Sequence, residues 1–486
     1  MTSLKTLLQD TYARQMSVFI VVGLVLTALV PLGSGALSGG SPVLALAAAL
    51  LPLLLALALI AAPRTTAADK QVETRSPERL GAALLLYLSP VLLLNAVYPL
   101  VSPAMAGVDI GGVPMTFVVL ASSVTVPWLA QAACLPIYRV LGDVMAGKNA
   151  GEITRRFAQF WPGIFVQSLP LVAVFAIPLW LMTGWSWTAI AHYAGLCVLH
   201  LLFVQSLVLA NVNNRRGLWA IAWSGYAASL FLAPTVWWLP PVVGTLTQIV
   251  AMGSGLRHLG VTEHLGARVF TADLGRGLLM GAVLWADKYI LFLVTGGAFE
   301  VVAVFAAMLP AVIAYNFYFV HLAPGVDRAL DNLHRDIATA PMVALRGSSG
   351  RLVRVLDRSV VLTGAIAALL TLSVSLIVTG LDPETTRLTV AAALASWAFM
   401  TLTLLNYELD FIGEKVTPQI VGGIHLAVCA LAFAGGAQLI AGSLHAGSYL
   451  LLGAADFVLI AVAWTLYKRH WSQPEYTLFW RHATTW

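Results

Sequence analysis

Residues 276–297 read RGLLMGAVLWADKYILFLVTGG. A helix of that length is about 33 Å long, enough to cross a hydrocarbon core of about 30 Å. The run is apolar except for Asp287 and Lys288 near its middle. Each charge at the centre of a bilayer costs about 2.5–3.5 kcal/mol on insertion scales, so neither is expected to face lipid. Neighbouring helical residues diverge by about 100°, which predicts that these two do not simply stack on one another and that at least one needs a partner elsewhere or a watery cavity.

Similar runs recur along the 486 residues, of which 59% are hydrophobic and 10% charged. A water-soluble protein carries about a quarter charged residues, so a soluble fold is excluded. Windows of about 19 residues place spans near 16–37, 42–62, 82–104, 115–137, 161–184, 188–211, 217–239, 240–256, 276–297, 300–322, 357–380, 385–406, 417–441 and 445–468. The span at 240–256 is short and begins at Pro240-Pro241, which suits a re-entrant or tilted segment as well as a crossing.

Basic residues test this list, because loops on the cytoplasmic side are enriched in Lys and Arg. With about fourteen spans, all 27 basic residues except Lys288 and Arg387 fall on one side, which puts both termini in the cytoplasm. The formal net charge of +5 thus reads as membrane topology, and no nucleic-acid partner is expected. The fold class expected is an all-α polytopic membrane protein, surrounded by membrane lipids.

The loops repeat coarsely. Spans three and four precede a long basic connection at 138–160 and then four spans; spans nine and ten precede a second at 323–356 and then four more. That predicts an N-terminal hairpin and cytoplasmic loop at 1–79, a first six-helix lobe at 80–275 and a second at 276–486, in the manner of transporters with paired bundles. The charges of 323–356, at helical spacing, predict an amphipathic helix on the headgroups.

Among groups within the spans, Asp287, Lys288, neighbouring Trp285, Asp456, Asn95 and, at a cytoplasmic span end, Arg139 are candidates to line a translocation cavity. The alternative for Asp287 and Lys288 is a buried ion pair locking helices together. Asp456 suits two roles, partner of Lys288 or protonatable group coupling transport to an ion gradient. His192, His200 and His425 are expected to hydrogen-bond between helices. No metal site is expected: Cys134, Cys197 and Cys429 form no CxxC pair and the histidines no cluster. The sequence has no GxxxxGK[ST], HExxH or GxSxG, and only Asp382 and Glu384 offer paired carboxylates on an outer loop, so neither an enzyme nor a cofactor is expected.

The segment GLLMGAVLWADKYILF, with Trp285, Asp287, Lys288 and Tyr289, resembles the Trp-x-Asp-Lys-aromatic helix of the Pel exopolysaccharide exporters, the PelG family, within the superfamily of multidrug, oligosaccharidyl-lipid and polysaccharide exporters. LPIYRVLGDVMAGKNAGEI, with Arg139 and Asp143, and LPAVIAYNFYFVHLA at 309–323 are similar to further stretches of that family. The hairpin at 16–62 is extra to a twelve-span core, and APGVDRALDNLHRDI replaces an acidic, tyrosine-rich stretch. The resemblance implies two lobes around a central cavity in a bacterial-type inner membrane. It also implies outward movement of a polysaccharide or lipid-linked glycan by alternating access, and a cytoplasmic glycosyltransferase and membrane partners that make the polymer. A small-molecule or drug exporter of the same superfamily, and a non-transporting subunit of a polysaccharide synthase complex, are the alternatives.

Overall fold

The computed structural model describes residues 77–145, 149–213, 215–377, 383–435 and 444–480. The expected spans at 16–37 and 42–62, and both termini, lie outside the described residues. Each of the other twelve expected spans falls on a helix. Ten helical runs are long and apolar enough to cross a membrane, by length and composition.

Helix α1 (Pro77–Ala106) leads into a hairpin of two two-residue strands, β1 (Asp109–Ile110) and β2 (Val113–Pro114). Its turn, Gly111-Gly112, has φ of 61° and 88°, the left-handed conformation that a tight two-residue connection needs. This small ribbon is the one departure from an all-α architecture among the described residues. There follow α2 (Met115–Met145), α3 (Ala150–Ser168), α4 (Pro170–Thr183), α5 (Trp187–Val212), α6 (Arg216–Leu232), α7 (Leu239–Met252) and α8 (Ala267–Thr295). Then come α9 (Val301–Phe317), α10 (Ala323–Thr339), α11 (Met342–Ile377), α12 (Pro383–Phe411), α13 (Val416–Ala434) and α14 (Leu444–Trp471).

Several boundaries move, each for a local reason. The span expected to run to 239 ends at Leu232, because Ala233 precedes Pro234 and leaves helical geometry with φ −137° and ψ 63°. The span expected at 240–256 begins at Leu239, with its prolines in the first turn, where a missing N–H costs nothing. It continues past Gly253, at φ 53°, as a 3₁₀ segment, Gly253–Gly260. Pro170 likewise opens α4 one residue after α3 ends.

The connection at 323–356 begins with an amphipathic helix, α10, as expected, and this helix is continuous with α9. A π-helical turn, Tyr318–Leu322, carries α9 directly into α10, and the Ala323 N–H bonds back to Tyr318 O. That wider turn absorbs the missing N–H of Pro324 without breaking the rod. Val326, Ala329 and Leu333 of α10 are buried at helical spacing, and α10 packs on α11, where Leu352 and Leu356 are fully buried. Burying that stripe against a neighbouring helix makes the connection a helical hairpin, closed by a hydrogen bond from Ser348 Oγ to Asp336.

The described residues form two compact units, Leu85–Phe299 and Glu300–Trp486, the second including the first few residues of α1. Helix α8, placed by the loop pattern at the head of the second lobe, belongs to the first unit, where it packs on α2.

Candidate functional site

Helix α8 meets α2 along one stripe, Asp273, Gly277 and Gly281, spaced four residues apart and so stacked on one face. A Cβ on Gly277 would lie 2.7 Å from Ala132 Cα and 2.9 Å from Gln131 O; one on Gly281 would lie 3.0 Å from Trp128 Cδ1. Only glycine permits this approach, the small-residue packing that brings backbones together in membranes. Trp128 Nε1 donates to Leu278 O at 2.7 Å across the same seam. On the other flank of α8, Tyr289 OH donates to Phe175 O of α4 at 2.5 Å, and the rings of Trp128, Phe175 and Tyr289 pack edge to face.

Asp287 and Lys288 lie further along α8. Their side chains are 0% and 2% exposed. Lys288 Nζ donates to Asp287 Oδ1 at 2.9 Å and to Leu284 O, one turn earlier, at 3.0 Å; it also stands 5.8 Å from the centre of the Trp285 ring. The two thus meet without stacking as residues one turn apart would. The 100° divergence applies to the Cβ directions, whereas the four-carbon lysine stem is long enough to fold back along the helix. Within the motif Trp285-Ala286-Asp287-Lys288 the acid and the base are thus hydrogen-bonded to one another.

Asp456, also 0% exposed, belongs to the other unit. Both its carboxylate oxygens lie 2.9 Å from Nδ1 of His425, across α13 and α14, and the imidazole packs edge to face on Phe399 of α12. His425 makes the helix-to-helix contact expected of it. His200 behaves alike, bonding Tyr226 OH at 2.8 Å and Leu196 O at 2.9 Å, whereas exposed His192 bonds Thr188 O of its own helix. No cluster able to hold a metal occurs among the described residues.

Arg139 does not stand with the mid-span charges. It lies toward the C-terminal end of α2, where Nη2 donates to Asp273 Oδ1 at 2.6 Å and Nε to Asp273 Oδ2, with Arg276 4.0 Å from the same carboxylate. Asp273 is 2% exposed and Arg139 41%, so this bidentate clamp holds a buried acid from the water side. The side chain of Asn95, and Asp382, lie outside what is described.

Three further polar sites escaped sequence reading. Asp273 was hidden among the charges of a cytoplasmic segment. Glu408, 1% exposed near the end of α12, accepts from Tyr318 OH, and its backbone carbonyl accepts from Trp471 Nε1 at 3.2 Å. Asp357 of α11 accepts from Tyr467 OH at 2.9 Å and from Lys468 Nζ at 2.6 Å, tying down the end of α14. The available signal was an acid at a span end beside tyrosine, as in Tyr407-Glu408.

The chain is therefore a multi-pass helical membrane protein with a buried pair of ionisable side chains in each unit. No family model matches it, and no curated protein matches it. Among solved structures it is similar to an outward-facing multidrug resistance MATE family transporter of the MOP superfamily, with 14% identity, 80% of this chain and 96% of that one covered, and a TM-score of 0.40. It is also similar to MATE in the bent conformation, with 12% identity, 94% and 99% covered and a TM-score of 0.37. The straight conformation gives 13%, 90%, 98% and 0.38. At these levels the likenesses do not place the chain in a family.

Proposed function

We propose that the protein is a membrane exporter or flippase that moves a polysaccharide or lipid-linked glycan outward by alternating access. The observation that carries this reading is the Asp287–Lys288 pair, buried at 0% and 2% exposure in mid-span and neutralised along its own helix. Intramembrane ionisable residues are functional candidates by default, and a pair that travels with one helix keeps its charges compensated when that helix changes neighbours. Asp456, held by His425, is the candidate coupling group in the second unit. The PelG-like reading of Trp285 to Tyr289 directs the choice of cargo, and a cytoplasmic glycosyltransferase is the partner it calls for.

The test is export of polymer by cells carrying Asp287→Ala, Lys288→Ala and the double variant, scored against protein level. Export reduced more than the amount of protein in the membrane, with polymer retained inside the cell, supports the reading; unchanged export per amount of membrane protein removes these residues from the transport path. Single cysteines at 284, 287, 288 and 291 in a cysteine-free background supply the second readout. Labelling at 287 or 288 by a water-soluble reagent, from one side in one state, marks a helix that lines a polar path.

The near-complete burial of both side chains favours a second reading, in which the pair is a structural lock in a non-transporting subunit of a polymer synthase. That reading requires protection of 287 and 288 from both sides, and loss of polymer synthesis on deletion rather than retention of polymer inside.

A further inference from the structure

Four acids among the described residues are no more than 2% exposed: Asp273, Asp287, Glu408 and Asp456. Three of them have a base within hydrogen-bond distance, Arg139 for Asp273, Lys288 for Asp287 and His425 for Asp456. Glu408 is the exception. Its Oε1 accepts from the Tyr318 hydroxyl, and its buried Oε2 has no hydrogen-bonding partner among the described residues.

The surroundings supply no positive charge in place of a base. The π-helical turn presents Tyr318, and α10 presents Asp327, near enough to repel a negative charge on Glu408. From α14 come Tyr467 and the Trp471 indole, whose Nε1 donates to the Glu408 backbone carbonyl at 3.2 Å. Within α12 the ionisable neighbours are Tyr407 and Asp410, α11 presents Asp357 to Tyr467, and Lys415, ahead of α13, is exposed. The bases of α14 at this level serve other acids: Lys468 Nζ stands 2.6 Å from Asp357 Oδ2 and His470 Nε2 3.9 Å from Glu414.

A carboxylate here would have a single hydrogen bond for a full charge, and a buried carboxyl without a compensating cation is neutralised by taking up a proton. The geometry matches the neutral acid. Oε1 accepts from a phenol as a carbonyl oxygen does, and Oε2 is left to carry the hydrogen. An O–H without an acceptor is a smaller cost than a bare charge. Glu408 is three residues, about 4.5 Å, from the end of α12, and Trp471, which bonds to its backbone, is the last residue of α14.

We propose that Glu408 is a proton-binding site: it holds a proton on Oε2 while Tyr318 and Trp471 pack on it, and passes that proton to water when this contact opens. The step breaks the Oε2–H bond, gives H⁺ to a water molecule and leaves a carboxylate with the Tyr318 hydroxyl as its donor. The site is separate from the Asp456–His425 pair, and the inference does not rest on the exporter reading.

The test uses the full chain in maltoside micelles. Infrared spectra at neutral pH should show a carbonyl band of a protonated carboxyl that shifts in heavy water and is lost in Glu408→Gln, whose carboxamide keeps an acceptor for Tyr318. Tyr318→Phe removes the donor to Oε1 and should move the band to higher frequency. Because the folded protein then holds one more proton than the unfolded chain, its unfolding temperature should fall relative to that of Glu408→Gln as the pH rises from about 5 to about 8. Absence of the band from the native protein, a band unchanged in Glu408→Gln, or parallel pH dependence of the two unfolding temperatures would overturn the proposal. Should Glu408→Gln fail to fold, the native and Tyr318→Phe spectra decide, and a band that Tyr318→Phe does not move counts against the site.

Discussion

The middle of α8 and the facing middles of α13 and α14 solve one problem in opposite ways. Lys288 lies twelve residues from Arg276 and Asp456 twelve from Lys468, so each is about 18 Å along its helix from a basic residue near one end. In α8 the acid and base are consecutive and pair along one rod, supported by Leu284 O. In the second unit Asp456 reaches across to His425, and the pair joins two helices. A pair within one helix constrains that helix little; a pair between two helices must be broken or carried if they separate. The Asp456–His425 pair ties α13 to α14, whereas α8 is tied to its neighbours at other points, by the Gly277–Gly281 seam with α2 and the Tyr289 bond to α4.

The comparison breaks first, and with the largest effect, at the α8 pair. Removing one member of a buried pair costs about 3–5 kcal/mol because the other charge is left behind. Asp287→Ala and Lys288→Ala should each depress protein level and unfolding temperature strongly, while the double variant Asp287→Ala/Lys288→Met recovers much of the loss. A double variant no better than either single one would show that the two residues do not neutralise each other.

The interhelical pair should respond more mildly. A hydrogen bond to a charged group contributes about 1.5–3 kcal/mol, and His425 has the option of staying neutral when its partner is gone. Asp456→Asn should keep one bond to Nδ1 and lose least, with Asp456→Leu lower in unfolding temperature. Cysteines placed on the facing turns of α13 and α14 should crosslink in the native protein and lose that crosslink in Asp456→Leu; an unaltered yield would deny the pair its role as a clasp.

Packing sharpens the contrast next. Gly277→Ala puts a methyl 2.7 Å from backbone atoms of α2, an overpacking cost of about 1–3 kcal/mol. Gly275→Ala, two residues away where nothing stands within 4 Å, should be neutral or slightly stabilising. Thermal unfolding of the two variants measures the seam directly. The smallest effect is expected from Arg139→Gln at the exposed end of that seam, about 1 kcal/mol or less, since Arg139 is 41% exposed and Arg276 remains near Asp273. Asp273→Leu should cost less than Asp273→Asn if desolvation of the buried acid is the controlling term, and a melting series compares the two.

Placement of the spans among the described residues was legible because hydropathy is summed over about 20 residues, so local errors average out. The moved boundaries were legible in principle as well: Pro234 and Pro240 are the residues at which the expected ends shifted, and proline acts through its own backbone. The packing partner of α8 was not. Loop lengths suggested that α8 opens the second half, but Gly277 and Gly281 commit it to α2, and only a neighbouring surface shows that those glycines are for packing.

What the sequence by itself determined is that this chain lives in a membrane, which loops carry positive charge, and that Asp287, Lys288 and Asp456 are buried charges requiring an answer. Those conclusions follow from the cost of placing charge or bare backbone in hydrocarbon, which depends on composition and not on neighbours. What only the tertiary structure decided is the answer each charge received: Lys288 from the residue beside it, Asp456 from a helix away, Arg139 from an unsuspected Asp273, and the connection after α9 from a partner helix. Pairing of that kind is set by side-chain reach and by which surfaces glycine lets approach, and both are properties of atoms brought together by the fold.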